Sequence, residues 1–145
     1  SYGPGGALTG ATPDGRIAGE NLADGTMSAA QGRDTHGPTA LIRSAMMIDQ
    51  IPYQSTLFNM KFHPSALTGQ EDLRKLASLV KTYFAYGGKQ VQFNVVNRET
   101  LIHAQQHPET HRDLVVRVAG YSAYFVQLSK RIQEDIIQRM EHEFA

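Results

Sequence analysis

Three histidines, His103, His107 and His111, recur at i, i+4 and i+8, a spacing that lines imidazoles along one helix face and could hold a metal. Pro108 interrupts that helix, and no acidic or thiolate ligand completes a site, so solvated histidines are expected. His36 and His63 stand alone, each near a proline, and should simply be hydrogen-bonded in loops. The Gly-rich opening could cradle a phosphate, yet it lacks a Gly-Lys-Ser/Thr ending and no strand precedes it. No serine sits in a nucleophile elbow. Glu134, Asp135, Glu141 and Glu143 fall on the polar side of a final helix, where a solvated face is expected. Cysteine is absent, which removes thiolate nucleophiles, disulfides and zinc–thiolate sites together.

One stretch remains. "RVAGYSAYF", Arg117 to Phe125, sets the most flexible residue type, at Gly120, between two apolar runs. A turn glycine at positive φ is the ordinary reading of such a residue. No Asn, Asp or Pro flanks it, however, and Val118, Ala119, Ala123 and Phe125 favour burial, so a buried glycine loop is expected. Such a glycine suits one unusual chemistry. Loss of an α-hydrogen leaves a radical shared between amide nitrogen and carbonyl. That delocalisation needs a planar Cα, which a side chain would strain, and burial would keep dioxygen away.

The elements that position this loop can be read in outline. Residues 1–37 hold most of the 13 glycines and show no period, so they read as loop lying on a larger body. Pro38 suits the first turn of a short helix over "TALIRSAMMI". "STLFNMKF" alternates Phe58, Met60 and Phe62 with Leu57, Asn59 and Lys61, a strand with one apolar face. Thr68 and Glu71 form a capping-box pattern. Leu73, Leu76, Ala77, Val80 and Phe84 then recur at helical spacing until Gly87-Gly88. "KQVQFNVV" puts Val91, Phe93 and Val95 on one face of a second strand, and Asn97 caps a helix that Pro108 ends. "LVVRV" is a third strand. Ser129 opens a last helix with Ile132, Ile136, Ile137, Met140 and Phe144 inward and "MEHEFA" as its end. Three strands alternating with helices predict an α/β unit with parallel strands that want cover on both faces.

The totals bound the function. At 145 residues the chain is one domain or a piece of one, and without an initiating Met it reads as an excised or processed piece. Its 14 basic and 14 acidic residues cancel, so no field draws it to nucleic acid or to a membrane surface. No apolar run approaches the roughly 20 residues of a membrane span, so a soluble intracellular protein is expected.

On these residues the chain resembles the C-terminal region of the glycyl radical enzymes. "RVAGYSAYF" is similar to the family's signature around the radical-bearing glycine, which maps onto Gly120, with Arg117, Val118, Ala119, Tyr121 and Ser122 as radical-loop neighbours. "ATPDGRIAGENLADGTMSAAQGRDTHGPTA", "NMKFHPSAL" and "VQFNVV" resemble upstream segments, so the likeness covers nearly the whole chain. The distance from Gly120 to the end fits the family's C-terminus. "VAGYSA" and "NMKFHPSAL" look closer to the dehydratase and lyase branch than to pyruvate formate-lyase. That branch holds cobalamin-independent glycerol and propanediol dehydratases, choline trimethylamine-lyase, hydroxyproline dehydratase and isethionate sulfite-lyase. Arylacetate decarboxylases and benzylsuccinate synthase are expected further off.

The resemblance implies a C-terminal fragment of an α/β barrel with a buried glycine loop: residues 1–37 a Gly-rich loop segment, residues 38–145 the glycyl radical domain. It implies a post-translational glycyl radical, with no cofactor or metal bound by this chain. The partner that installs it would be an activating enzyme using S-adenosylmethionine and an iron–sulfur cluster. The stored radical would generate a thiyl radical on a cysteine, which then takes hydrogen from the substrate. That cysteine must lie in the rest of the barrel, so this chain alone should not turn over. A homodimeric full enzyme, anaerobic metabolism, and the cytoplasm or a bacterial microcompartment follow from the same likeness. Two other readings stand beside it: an autonomous spare part that carries the radical to a damaged enzyme, and an interaction domain whose radical function is lost.

Overall fold

The computed structural model describes residues 2–144. In chain order it holds α1 (Tyr2–Leu8), α2 (Gly37–Met46), β1 (Asn59–Phe62), α3 (Gln70–Ala85), β2 (Gln92–Val95) and α4 (Arg98–Gln106). Then come β3 (Val115–Arg117), β4 (Ser122–Tyr124), α5 (Lys130–Gln138) and β5 (Glu141–His142). A parallel sheet has the order β2-β1-β5, with Asn59 opposite Gln92 and Lys61 opposite Glu141. β3 and β4 form a separate antiparallel hairpin, Arg117 facing Ser122.

Two apolar clusters carry the fold. Ile42, Phe58, Met60, Phe62, Leu79 and Tyr83 pack α2 and α3 against β1. Val96, Leu101, Val116, Val118, Phe125, Ile136 and Ile137 pack α4 and α5 beneath the hairpin. Burial of such side chains contributes about 1.5–3 kcal/mol each.

Several expected devices are present. Pro38 sits in the first turn of α2. Asn97 caps α4, its side-chain oxygen accepting from the Thr100 N–H at 2.8 Å, and α4 ends before Pro108. Gly87, at positive φ, and Gly88 close α3, the Gly88 N–H donating to the Tyr83 carbonyl at 2.9 Å.

Other expectations give way. The strand "LVVRV" does not join the parallel sheet. Ala119-Gly120 is a two-residue turn that folds the next apolar run back on it, and the missing Asn or Asp hid this hairpin. "MEHEFA" does not prolong the last helix. The buried Lys61 ammonium lies 3.3 Å from the Ile136 carbonyl and 3.5 Å from those of Ile137 and Arg139, ending α5 and freeing β5 to pair with β1. Met140 and Phe144 therefore leave the helix, and Phe144 stacks on Phe62 instead. Residues 1–37 are not wholly loop, because burial of Tyr2 fixes α1.

The box at α3 is closed by Asp72, which accepts from the Gly69 N–H, rather than by Glu71. The buried stripe of α3 is Leu76, Leu79 and Tyr83, leaving Leu73 and Phe84 exposed. On β2 both faces are covered: Val91 and Phe93 pack against the Phe62 cluster as expected, Gln92 and Asn94 are buried on the opposite face, and Val95 is half exposed. A buried polar face needs partners, and those partners lie in the glycine hairpin.

Candidate functional site

The hairpin is short and held at its root. Arg117 is gripped by β2: its N–H donates to Asn94 Oδ1 at 2.7 Å, and its carbonyl accepts from Asn94 Nδ2 at 2.7 Å. One amide side chain thus replaces the ladder that a neighbouring strand would provide. The Arg117 guanidinium bonds Gln92 Oε1 and, at 3.1 Å, Ser122 Oγ, tying β4 to β3 and both to β2. Val116, Val118 and Phe125 point into the core beneath, and Ala119 and Ala123 are partly buried against it.

At the tip the Val118 N–H donates to the Tyr121 carbonyl at 2.9 Å. Between them Gly120 takes φ +78°, a conformation that costs an L-residue roughly 1–2 kcal/mol. Gly120 is exposed in this chain, and Tyr121 is 54% exposed. The burial expected of the glycine loop is thus not supplied by this chain itself. The apolar neighbours are buried as their types require, but alternation along the hairpin lifts the glycine to the tip. An open cleft of about 660 Å³ runs beside it, lined by Tyr2, Leu22, Leu57, Val118, Ala119 and Tyr121.

A buried polar cluster fixes the strand below. The Arg139 guanidinium pairs with Asp24 at 2.9 Å and Asp135 at 3.1 Å, and also donates to the Arg117 carbonyl at 3.2 Å and the Tyr2 hydroxyl at 3.0 Å. Burial pushes the Asp24 carboxyl up, against the pull of Arg139. Burial, aided by Asp135, raises the Tyr2 phenol far above its usual range. Asp135 is thus a buried partner of Arg139 and Asn21, not part of a solvated face. Glu141 pairs with the buried Lys61 at 3.0 Å, whose ammonium burial holds below the ordinary lysine range. Glu134 and Glu143 are exposed as expected.

The histidines come together despite Pro108. A single 3-10 turn over Pro108–Thr110 returns His111 to His103, Nε2 to Nδ1 at 2.7 Å, a hydrogen bond between two imidazoles. Among the described residues no group of three side chains could hold a metal ion. His63 caps a short turn by accepting from the Ser65 N–H, and His36 bonds Thr35.

Sequence reasoning missed Gln92, Asn94, Arg139 and Leu57. Gln92 and Asn94 carry a signal, since they are polar residues at alternate positions inside a strand. Leu57 and Arg139 carry none.

The family described as "Glycine radical" matches residues 23–126, which include Gly120. An indoleacetate decarboxylase of Tractidigestivibacter scatoligenes is 49% identical over 99% of this chain and 16% of its own length. A trans-4-hydroxy-L-proline dehydratase of Clostridioides difficile is 42% identical over 96% of this chain and 18% of its own length. The glycerol-bound B12-independent glycerol dehydratase of Clostridium butyricum superposes with a TM-score of 0.93 at 52% identity, over 99% of this chain and 18% of that one. This chain therefore spans less than a fifth of the relatives it matches. Its mixed α/β fold is that of the matching region in those structures. An arylacetate decarboxylase does not lie further off than the dehydratases, as its identity falls between theirs. A separate spare-part protein finds no support among these relatives.

Proposed function

The chain belongs to the glycyl radical enzyme family, and we propose that Gly120 is the residue that stores the radical. One observation carries this reading. Within the matched segment, Gly120 alone stands at the tip of a clamped hairpin, at a φ suited to glycine and with its Cα accessible. Removal of one hydrogen atom, proton and electron together, leaves a planar Cα radical that retains its second α-hydrogen. Arg117 and Ser122 hold the two arms, Val118 and Ala119 seat the turn on the core, and Tyr121 borders the cleft.

The relatives described above are a decarboxylase and two dehydratases, and this chain serves a full enzyme of that dehydratase, lyase and decarboxylase group. The cysteine that receives the radical belongs to the remainder of that enzyme, since this chain has none. Exposure of Gly120 here fits a loop that the remainder of the barrel covers, and Ala119, Ser122 and Ala123 are small enough to let it swing out. The partner that takes the hydrogen is an activating enzyme using S-adenosylmethionine and an iron–sulfur cluster. Residues 38–145 form the radical-bearing domain, with residues 1–37 laid on it. The full enzyme works as an anaerobic homodimer in the cytoplasm or a bacterial microcompartment.

The test is electron paramagnetic resonance of the full-length enzyme after anaerobic treatment with its activating enzyme. A doublet from the remaining α-hydrogen is expected, absent in Gly120→Ala. The same doublet from the Ala variant would overturn the assignment.

A further inference from the structure

We infer that Leu57 is a shielding residue for Gly120, covering one face of its Cα and slowing attack by dioxygen on the stored radical. The inference rests on the radical reading of Gly120. A β-carbon built on Gly120 would stand 3.3 and 3.7 Å from the two methyls of Leu57, with nothing else within 4 Å beyond its chain neighbours. The α-hydrogen that a β-carbon would replace thus points at the Leu57 methyls, on a residue that is otherwise exposed. The two faces of a planar Cα at this position are inequivalent. One is covered by a side chain of this chain; the other awaits cover from elsewhere in the enzyme.

Leu57 is held in place by design of the backbone around it. Its carbonyl accepts from the Met27 N–H at 2.8 Å. The next two amides are also engaged, Phe58 N–H with Gln90 Oε1 at 2.8 Å and Asn59 N–H with Ser28 Oγ at 2.9 Å. The Asn59 side chain donates to the Asp24 carbonyl at 2.8 Å. Gly25 permits this approach, because a β-carbon there would lie 2.6 Å from the Leu57 oxygen and 2.6 Å from Ser28 Oγ. Residues 24–28, within the segment read as loop, therefore form a platform that presents Leu57 to Gly120. Leu57 lies two residues before β1, is partly buried and belongs to neither core cluster.

Attack by dioxygen forms one C–O bond to the Cα radical and yields a peroxyl radical, with no added reductant. Truncating Leu57 opens an apolar gap on that path. The experiment activates the full-length enzyme anaerobically, counts spins, admits a fixed amount of dioxygen and follows decay of the doublet. Leu57→Ala should start with the same spin count and lose it several-fold faster, Leu57→Met should decay like the unsubstituted enzyme, and Gly25→Ala should resemble Leu57→Ala. Melting temperatures measured alongside separate shielding from stability, since shielding predicts faster decay without a matching fall in melting temperature. If Leu57→Ala accepts no radical, Leu57→Val and Leu57→Met carry the test: decay ordered by volume supports the shield. Equal decay in all variants overturns it while leaving the radical assignment intact. Absence of any doublet from the unsubstituted enzyme would instead remove the assignment itself, and the shield with it.

Discussion

Replacing Asn94 should loosen the glycine hairpin at its root, by an amount the geometry sets. Asn94 is 7% exposed, and its two contacts with the Arg117 backbone are each 2.7 Å. Asn94→Ala removes both, but the consequences differ. The Arg117 carbonyl keeps the Arg139 guanidinium at 3.2 Å, whereas the Arg117 N–H is left without a partner. An orphaned buried donor costs about 1–3 kcal/mol, equivalent to about 5- to 150-fold in a local opening equilibrium. Asn94→Asp keeps an acceptor for the N–H but sets an oxygen against the Arg117 carbonyl, so its effect should be intermediate. Amide hydrogen exchange of the Arg117–Tyr121 segment in the full-length enzyme, read by mass spectrometry, measures the opening directly. Exchange should accelerate in the order unsubstituted, Asp, Ala, with distant segments unchanged. Unchanged exchange in Asn94→Ala would refute the clamp, and so would an effect spread evenly over the chain.

Other perturbations follow from the same contacts. Arg139→Ala leaves Asp24 and Asp135 buried without their cation and should destabilise by about 3–5 kcal/mol, visible as a lower urea midpoint. Gly120→Ala should cost about 1–2 kcal/mol through its φ of +78°, small enough for folded enzyme to be recovered with circular dichroism unchanged. The Lys61 ammonium is held below its ordinary range by burial, so the unfolded chain keeps that proton to higher pH than the folded one. Stability owed to Lys61 must then rise with pH below the ordinary lysine value. The melting-temperature gap between the enzyme and Lys61→Met should shift in favour of the unsubstituted protein from about pH 8 to about pH 10; an opposite trend contradicts the direction.

The sequence showed the helices best where local chemistry decides them. Asn97, Pro38, Pro108 and Gly87 mark ends through bonds made within a few residues, and each mark holds. Strand faces were legible only in part, because Lys61, Gln92 and Asn94 are polar yet buried, each satisfied by a group far along the chain. No local pattern encodes such partners. The hairpin was hidden for the opposite reason. Its turn consists of Ala and Gly without polar signposts, and its strands have only three residues each. Gly120 could be singled out from its neighbours, but its exposure could not, since burial of Val118 and Phe125 says nothing about the residue at the tip. Leu57 becomes visible only once three-dimensional proximity to Gly120 is known.

Peptide mapping after brief admission of air to the anaerobically activated full-length enzyme tests the central claim most directly. The account predicts scission confined to Gly120, in proportion to the spins lost and absent from enzyme never activated. An intact chain after the radical signal has vanished, or cleavage at a different residue, would contradict it.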